Sequence, residues 1–137
     1  MTKEEIISRV KILDLPKNSY VVFGSGLMAV LGIREAKDID LFVSQKIYKN
    51  LENKGWKKIY KGPNDSPLFY DVFEVHDNWN FSSYNPSLED LLTRAVVVED
   101  VLFASIHDVR QWKNASYLPK HMNDIKLIDR YMNKNKK

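Results

Sequence analysis

Tyr20-Val-Val-Phe23, then Gly24-Ser25-Gly26, then Asp38-Ile-Asp40-Leu-Phe-Val43 form the stretch on which the reading of this chain turns. The first four residues are β-branched and aromatic, the composition of a buried strand. The Gly-Ser-Gly turn breaks that strand, and residues 27–31 continue as a helix ended by Gly32. Residues 38–43 make a second strand. Asp38 and Asp40 lie two apart, so an extended backbone points both side chains to one face. Two carboxylates about 4 Å apart repel by roughly 4 kcal/mol at an effective dielectric near 20. A fold keeps such a pair cheaply by binding a cation or by leaving one carboxyl protonated. Oxygen ligands select hard cations, and a carboxylate pair plus substrate phosphates is a usual magnesium arrangement. The stretch therefore reads as a Mg²⁺–nucleotide site. The alternative is Asp38 capping a turn and Asp40 paired with Arg34 or Lys37.

A strand, a tight glycine turn and a helix also suit phosphate. Gly24 and Gly26 let the backbone approach the anion, Ser25 adds a hydroxyl, and the helix start offers unpaired N–H groups. The pattern is neither a Walker loop, which would continue Gly-Lys-Ser/Thr, nor a dinucleotide fingerprint. Arg34, between the turn and the aspartates, is placed to reach a phosphate or to pair with Asp38. A third acid comes from Asp71-Val-Phe-Glu74-Val-His76, where strand alternation sets Glu74 and His76 opposite Phe73 and Val75. With the apolar pair facing the core, Glu74 is the choice and Asp71 the reserve. His76 beside Glu74 is placed to orient an acceptor or act as base, although a lone histidine is more often a bystander, and His107 and His121 have no metal-like spacing. Residues 79–84, rich in aromatics, read as core or as a surface for stacking a base.

The whole chain sets an ordinary frame. Its 137 residues are one domain's worth, and 44% hydrophobic with 28% charged residues is the composition of a soluble globular protein. The net charge of +3 is mild, with lysines at Lys57-Lys58, Lys61 and residues 134–137. Absence of cysteine excludes disulfides, thiolate metal sites and a thiol nucleophile. The N-terminus lacks the apolar segment of a signal peptide, and the longest apolar run, residues 21–33, is broken by glycines. A cytoplasmic protein with no membrane segment is the expectation.

Along the chain the pattern predicts a helix over 3–13 capped by Thr2, a strand over 20–23, the helix after Gly24-Ser-Gly, and the strand 38–43. A Ser44-capped helix to Asn53, an edge strand over 56–60 and a third central strand over 69–76 follow. Ser87 caps a helix over 88–94. Residues 95–98 and 101–103 are short apolar runs without assignment. Helices over 105–115 and 120–132 close the chain, separated at residues 117–119. The expected fold class is α+β or α/β, a small mixed sheet flanked by helices with a helical C-terminus. Residues 1–137 read as a single domain, with a core over about 18–80 and a helical part over about 87–133.

Gly24-Ser25, Asp38-Ile-Asp40 and an acid on a later strand, in this order and spacing, resemble the nucleotidyltransferase superfamily of polymerase-beta-type fold. The likeness runs from about Tyr20 to Tyr131 and is greatest to small single-domain prokaryotic members. The Phe73-Glu-Val-His76 segment is similar to the third-acid strand of antibiotic nucleotidyltransferases. The C-terminal part resembles a recurring lysine and basic-x-Lys-Asp-x-x-Asp-Ile segment, matched by Lys113, Lys120, Asp124 and Ile125. It departs from that segment at Leu118 and His121.

The resemblance implies that Gly24, Ser25 and Gly26 bind a triphosphate and that Asp38 and Asp40 hold Mg²⁺ or Mn²⁺. It implies that Glu74 assists a second metal or deprotonates the acceptor. The reaction would move an NMP, AMP by expectation, from an NTP to an acceptor hydroxyl on a small molecule, RNA or protein, releasing pyrophosphate. The competing reading is a catalytically silent module, an antitoxin-type partner or nucleotide sensor. A homodimer or a protein partner fits the small size.

Overall fold

The computed structural model describes residues 1–63, 65–78, 84–116 and 118–135. Its organising strand is β1 (Tyr20–Phe23), every residue of which is buried. A strand covered on both faces reads as a continuous apolar run rather than an alternating one, which is why Tyr-Val-Val-Phe occupies the middle. On one side β1 pairs antiparallel with β2 (Ile39–Val43), with Phe23 opposite Asp40. On the other it pairs parallel with β7 (Val101–Phe103). β2 in turn pairs parallel with β5 (Phe73–His76), setting Asp40 beside Glu74.

The remaining strands are short. β3 (Lys57–Lys58), β4 (Leu68–Tyr70) and β6 (Val96–Val98) complete the mixed sheet in the order β3-β4-β5-β2-β1-β7-β6 among the described residues. The helices are α1 (Lys3–Leu13), α2 (Ser25–Val30), α3 (Gln45–Asn53), α4 (Leu88–Arg94), α5 (Ile106–Ser116) and α6 (Pro119–Lys134). Three begin where the sequence offers a cap. Thr2 with Glu5 and Ser87 with Asp90 close capping boxes, and Ser44 accepts from the Ile47 amide. α1 buries Ile6, Ile7 and Val10, and α5 and α6 pack on each other at the C-terminal end of the chain. This is the mixed sheet, flanking helices and helical C-terminus expected of the sequence.

Several boundaries differ: β2 begins at Ile39 rather than Asp38, and only Lys57–Lys58 of the expected edge strand over 56–60 forms. The expected single strand over 69–76 is the hairpin β4–β5, reversed at Asp71, which takes φ +52°. The unassigned apolar runs are the hairpin β6–β7, turned by Glu99 and Asp100 at φ +47° and +69°. Neither turn carries the glycine that usually marks positive φ, so both were invisible to a search for turn residues. α2 starts at Ser25 rather than Leu27, and Pro119 begins α6 instead of standing in the break. Of the aromatic cluster, residues 79–83 lie outside the described residues. Tyr84 is buried, and its hydroxyl donates to Asp108 Oδ1 at 2.8 Å, a core role rather than a stacking one. No described helix is long and apolar enough to cross a membrane.

Candidate functional site

The site grows from the ends of three adjacent strands. β1 ends at Phe23, and Gly24 leaves it with φ +63° and ψ −137°, a conformation that side chains strongly disfavour. A Cβ on Gly24 would stand 2.8 Å from Asp40 Oδ2 and 3.1 Å from the Trp112 ring, so the turn is glycine for space as well as for φ. Ser25, buried at the first position of α2, lines the same cleft. Gly26 answers a different need: its Cβ would meet Val22 Cγ1 at 2.8 Å, packing helix against strand.

Asp40 and Glu74 are register partners on β2 and β5, and both are half-buried. One ligand atom each from Asp40, Glu74 and His76 fall within 4.8 Å of one another, a set able to hold a metal ion. Asp38 sits one residue before β2, exposed at the mouth of the cleft, and Asp40 pairs with neither Arg34 nor Lys37 among the described residues. Burial first, then the charges of Glu74 and Asp38, push the Asp40 carboxyl up to about 8, against a pull downward from Lys113 and Lys120. For Glu74 burial acts the same way. It is outweighed by the His76 hydrogen bond and the charges of His76, Lys61 and Lys120, which hold Glu74 below the ordinary value. The cluster thus cannot carry its full negative charge unaided, the condition that a bound divalent cation would relieve. Its oxygens suit a hard cation.

His76 Nε2 lies 2.7 Å from Glu74 Oε2, and His76 Nδ1 lies 3.9 Å from Asp65 Oδ1 on the β3–β4 connection. Lys61 of the same connection reaches Glu74 Oε1 at 3.7 Å, its ammonium 5.2 Å from the Phe69 ring centre. Asp71 is turned away: it sits in the exposed hairpin bend and pairs with Arg9 of α1 at 2.9 Å.

The opposite wall comes from α5 and α6. Arg34 Nε and Nη2 donate to Asp124 at 2.7 and 2.9 Å, so its ion pair is with Asp124 and not with Asp38. Lys113, only 2% exposed, donates to the same carboxylate at 2.9 Å. Burial depresses the Lys113 ammonium against that bond, and the two cations together hold Asp124 low in spite of its own burial. Trp112 packs edge-on to Phe23 at 5.5 Å and against His121 at 5.2 Å, behind the glycine turn. The cleft between the walls measures about 320 Å³.

Two solved structures share this architecture. The crystal structure of the antibiotic nucleotidyltransferase ANT(2″)-Ia in complex with adenylyl-2″-tobramycin superposes with a TM-score of 0.57 at 14% identity, covering 94% of this chain and 86% of that one. The solution structure of the antibiotic-resistance factor ANT(2″)-Ia gives 0.56 at 16% identity, over 94% and 81%. This chain has a nucleotidyltransferase-type fold. No family model matches the sequence, and no curated protein matches it in sequence. At these identities the likeness is one of fold.

Within the nucleotidyltransferase-type fold, the sequence-predicted Gly24, Ser25, Asp38, Asp40, Glu74 and Arg34 converge on one cleft or its immediate wall. Gly26 stands behind it. His76, which the sequence left between an acceptor-orienting or basic role and a bystander's, stands in the site against Glu74. Sequence reasoning passed over His121, which is buried beside Trp112 and hydrogen-bonded to Ser116 Oγ. Lys113, Lys120 and Asp124 were noticed for their resemblance to a recurring segment, and all three line the cleft. His107 is exposed.

Proposed function

We propose that this protein is a divalent-metal-dependent nucleotidyltransferase that moves an NMP from an NTP, ATP by preference, to an acceptor hydroxyl. The observation that carries the reading is the register pairing of Asp40 with Glu74 at the rim of the Gly24 turn, with Asp38 at the mouth of the same cleft. The whole chain acts as a single domain. Asp38, Asp40 and Glu74 would hold Mg²⁺ or Mn²⁺, which supplies charge neutralisation for the phosphates and the leaving group. Gly24 and Ser25 would seat the triphosphate, whose negative charge the Arg34 and Lys113 wall favours, with Gly26 packing α2 close against β1 behind them.

The acceptor oxygen forms its bond to the α-phosphorus as the bond from that phosphorus to pyrophosphate breaks. Glu74, held ionised by His76, Lys61 and Lys120, accepts the proton from the acceptor hydroxyl. His76 fixes the carboxylate through its 2.7 Å bond, leaving the other oxygen of Glu74 toward Lys61.

The test is the thermal shift of the purified protein with each NTP, with and without Mg²⁺ or Mn²⁺, beside an Asp38→Asn/Asp40→Asn variant. Binding to the native state raises stability by about 2.7 kcal/mol at a hundredfold excess over the dissociation constant. A metal-dependent shift lost in the variant, with pyrophosphate release once an acceptor is supplied, is the expected result. A cooperative melt that no NTP moves selects the silent partner module instead.

A further inference from the structure

We infer that the acceptor is a phosphate-bearing hydroxyl compound and not a polyamine; this deepens the proposed transfer reading and rests on it. Four carboxylates line the cleft among the described residues: Asp38, Asp40, Glu74 and Asp124. Three of them, Asp38, Asp40 and Glu74, are the acids proposed above to hold the cation, Asp40 and Glu74 lying with His76 in the cluster able to do so. The fourth, Asp124, accepts from both Arg34 and Lys113 at 2.7 to 2.9 Å and is fully used. Among the described residues the cleft therefore has no carboxylate left to receive the ammonium groups of a polycationic acceptor.

Its rim carries the opposite charge. Lys37 from the α2–β2 connection, Lys61 from the β3–β4 connection and Lys120 from the first turn of α6 all line the cleft. Lys37 and Lys120 form no ion pair with another described residue, and the contact of Lys61 with Glu74 is long at 3.7 Å. Lys61 contacts Glu74 and Lys120 lines the same cleft, so both ammoniums face the space beside the acid assigned to the acceptor proton. An acceptor hydroxyl at Glu74 would bring its neighbouring groups against these ammoniums. Phosphate next to that hydroxyl satisfies them, whereas amines would be repelled. Both a small sugar phosphate and the 3′ end of a polynucleotide have that chemistry.

The experiment measures binding to the full chain in Mg²⁺ and α,β-methylene-ATP, which blocks transfer, using ribose 5-phosphate, an eight-nucleotide RNA with a free 3′-hydroxyl, and tobramycin as probes. At low salt at least one phosphate-bearing probe is expected to bind ten times more tightly than tobramycin and to weaken as salt rises. RNA binding ten times more tightly than ribose 5-phosphate assigns a polynucleotide end, and equal binding assigns the small phosphate. A Lys61→Glu/Lys120→Glu variant should lose at least tenfold in affinity for the phosphate probe; the salt dependence of the parent protein serves if that variant does not fold. Tobramycin binding as tightly as either phosphate probe, or phosphate binding indifferent to salt, overturns the inference while nucleotide binding stands. Failure of the metal–nucleotide thermal shift overturns the parent reading and this one with it.

Discussion

Asp40 on β2 and Glu74 on β5 are register partners across a parallel pair, yet their surroundings drive them apart in charge. Asp40 is driven toward its neutral form by burial and by its acidic neighbours, whereas His76, Lys61 and Lys120 keep Glu74 ionised. Two acids at one site with opposed titration are the arrangement that a cation or a proton-transfer role exploits. Neighbouring strands deliver it without any loop: the pairing of β2 with β5 sets the backbone separation, and the turn at Gly24 keeps the approach open.

The contribution of Asp40 to stability without metal should fall as pH rises. The Asp40 carboxyl lies at about 8 in the fold against an ordinary value of 3.8, so between these values the folded state holds more protons than the unfolded one. Stabilisation present at low pH is lost as pH climbs through that window. Read as the difference between the parent and Asp40→Asn, which cancels the titration of other groups, the expected drop from pH 5 to pH 8 is on the order of 2 kcal/mol, or about 5–10 °C in midpoint, after allowance for solvent in the open cleft. Asp40→Asn should remove this downward contribution, and saturating Mg²⁺ should reverse it in the parent protein. A parent slope unchanged by Asp40→Asn would contradict the assignment.

Gly24→Ala should cost about 2–3 kcal/mol and abolish nucleotide binding. The Cβ meets Asp40 Oδ2 at 2.8 Å, and the backbone sits at φ +63°, ψ −137°. Gly32→Ala is the control: it too has positive φ, +76°, but nothing lies within 4 Å of its Cβ. It should cost about 1 kcal/mol, from backbone strain alone, and leave nucleotide binding intact. Urea unfolding of both variants separates the two contributions, and equal losses would show that the crowding at Gly24 is relieved by movement.

Legibility in the sequence tracked how local each signal was. Gly24-Ser25, Asp38-Ile-Asp40 and the caps Thr2, Ser44 and Ser87 rest on spacings of a few residues; the caps begin their expected helices, while Asp38 falls one residue short of β2 and Ser25 one residue into α2. Hairpins turned by Asp71 and by Glu99-Asp100 were not legible, because acidic residues at positive φ resemble ordinary surface residues. Glu74 was chosen over Asp71 by strand alternation, which works once a strand is assumed and does not depend on where the strand begins. The Arg34–Asp124 pair spans 90 residues of sequence, and nothing local to either residue points to the other.

That pair and Lys113 give a third expectation. Asp124→Asn leaves the Lys113 ammonium, 2% exposed, without its carboxylate, and should destabilise by about 3–5 kcal/mol. Adding Lys113→Met removes the stranded charge and should recover most of the loss. The thermal midpoints of the two single variants and the double variant form the cycle. Additive losses, with no recovery in the double variant, would mean that Lys113 reaches water once Asp124 is gone.

His121 supplies a pH effect opposite in sign to that of Asp40. Burial, reinforced by the charges of Lys113 and Lys120, pushes the imidazole down to about 4 from 6.5. Over that window the unfolded chain binds the proton and the fold does not, so stability present above pH 6.5 is lost as pH falls toward 4. The ring packs 5.2 Å from Trp112 and is hydrogen-bonded to Ser116, and the charge of Asp124 offsets only part of what burial and the two lysines impose. Measured in the Asp40→Asn background, which removes the opposing slope, the loss between pH 7 and pH 4.5 should be on the order of 1–2 kcal/mol. His121→Gln in the same background should lose much less over that range, since no proton is taken up there on unfolding. Keeping the range above pH 4.5 holds Asp124 and Asp108 ionised, because their partners hold both below the ordinary carboxylate value. An equal loss with and without His121 would place the acid sensitivity elsewhere in the fold.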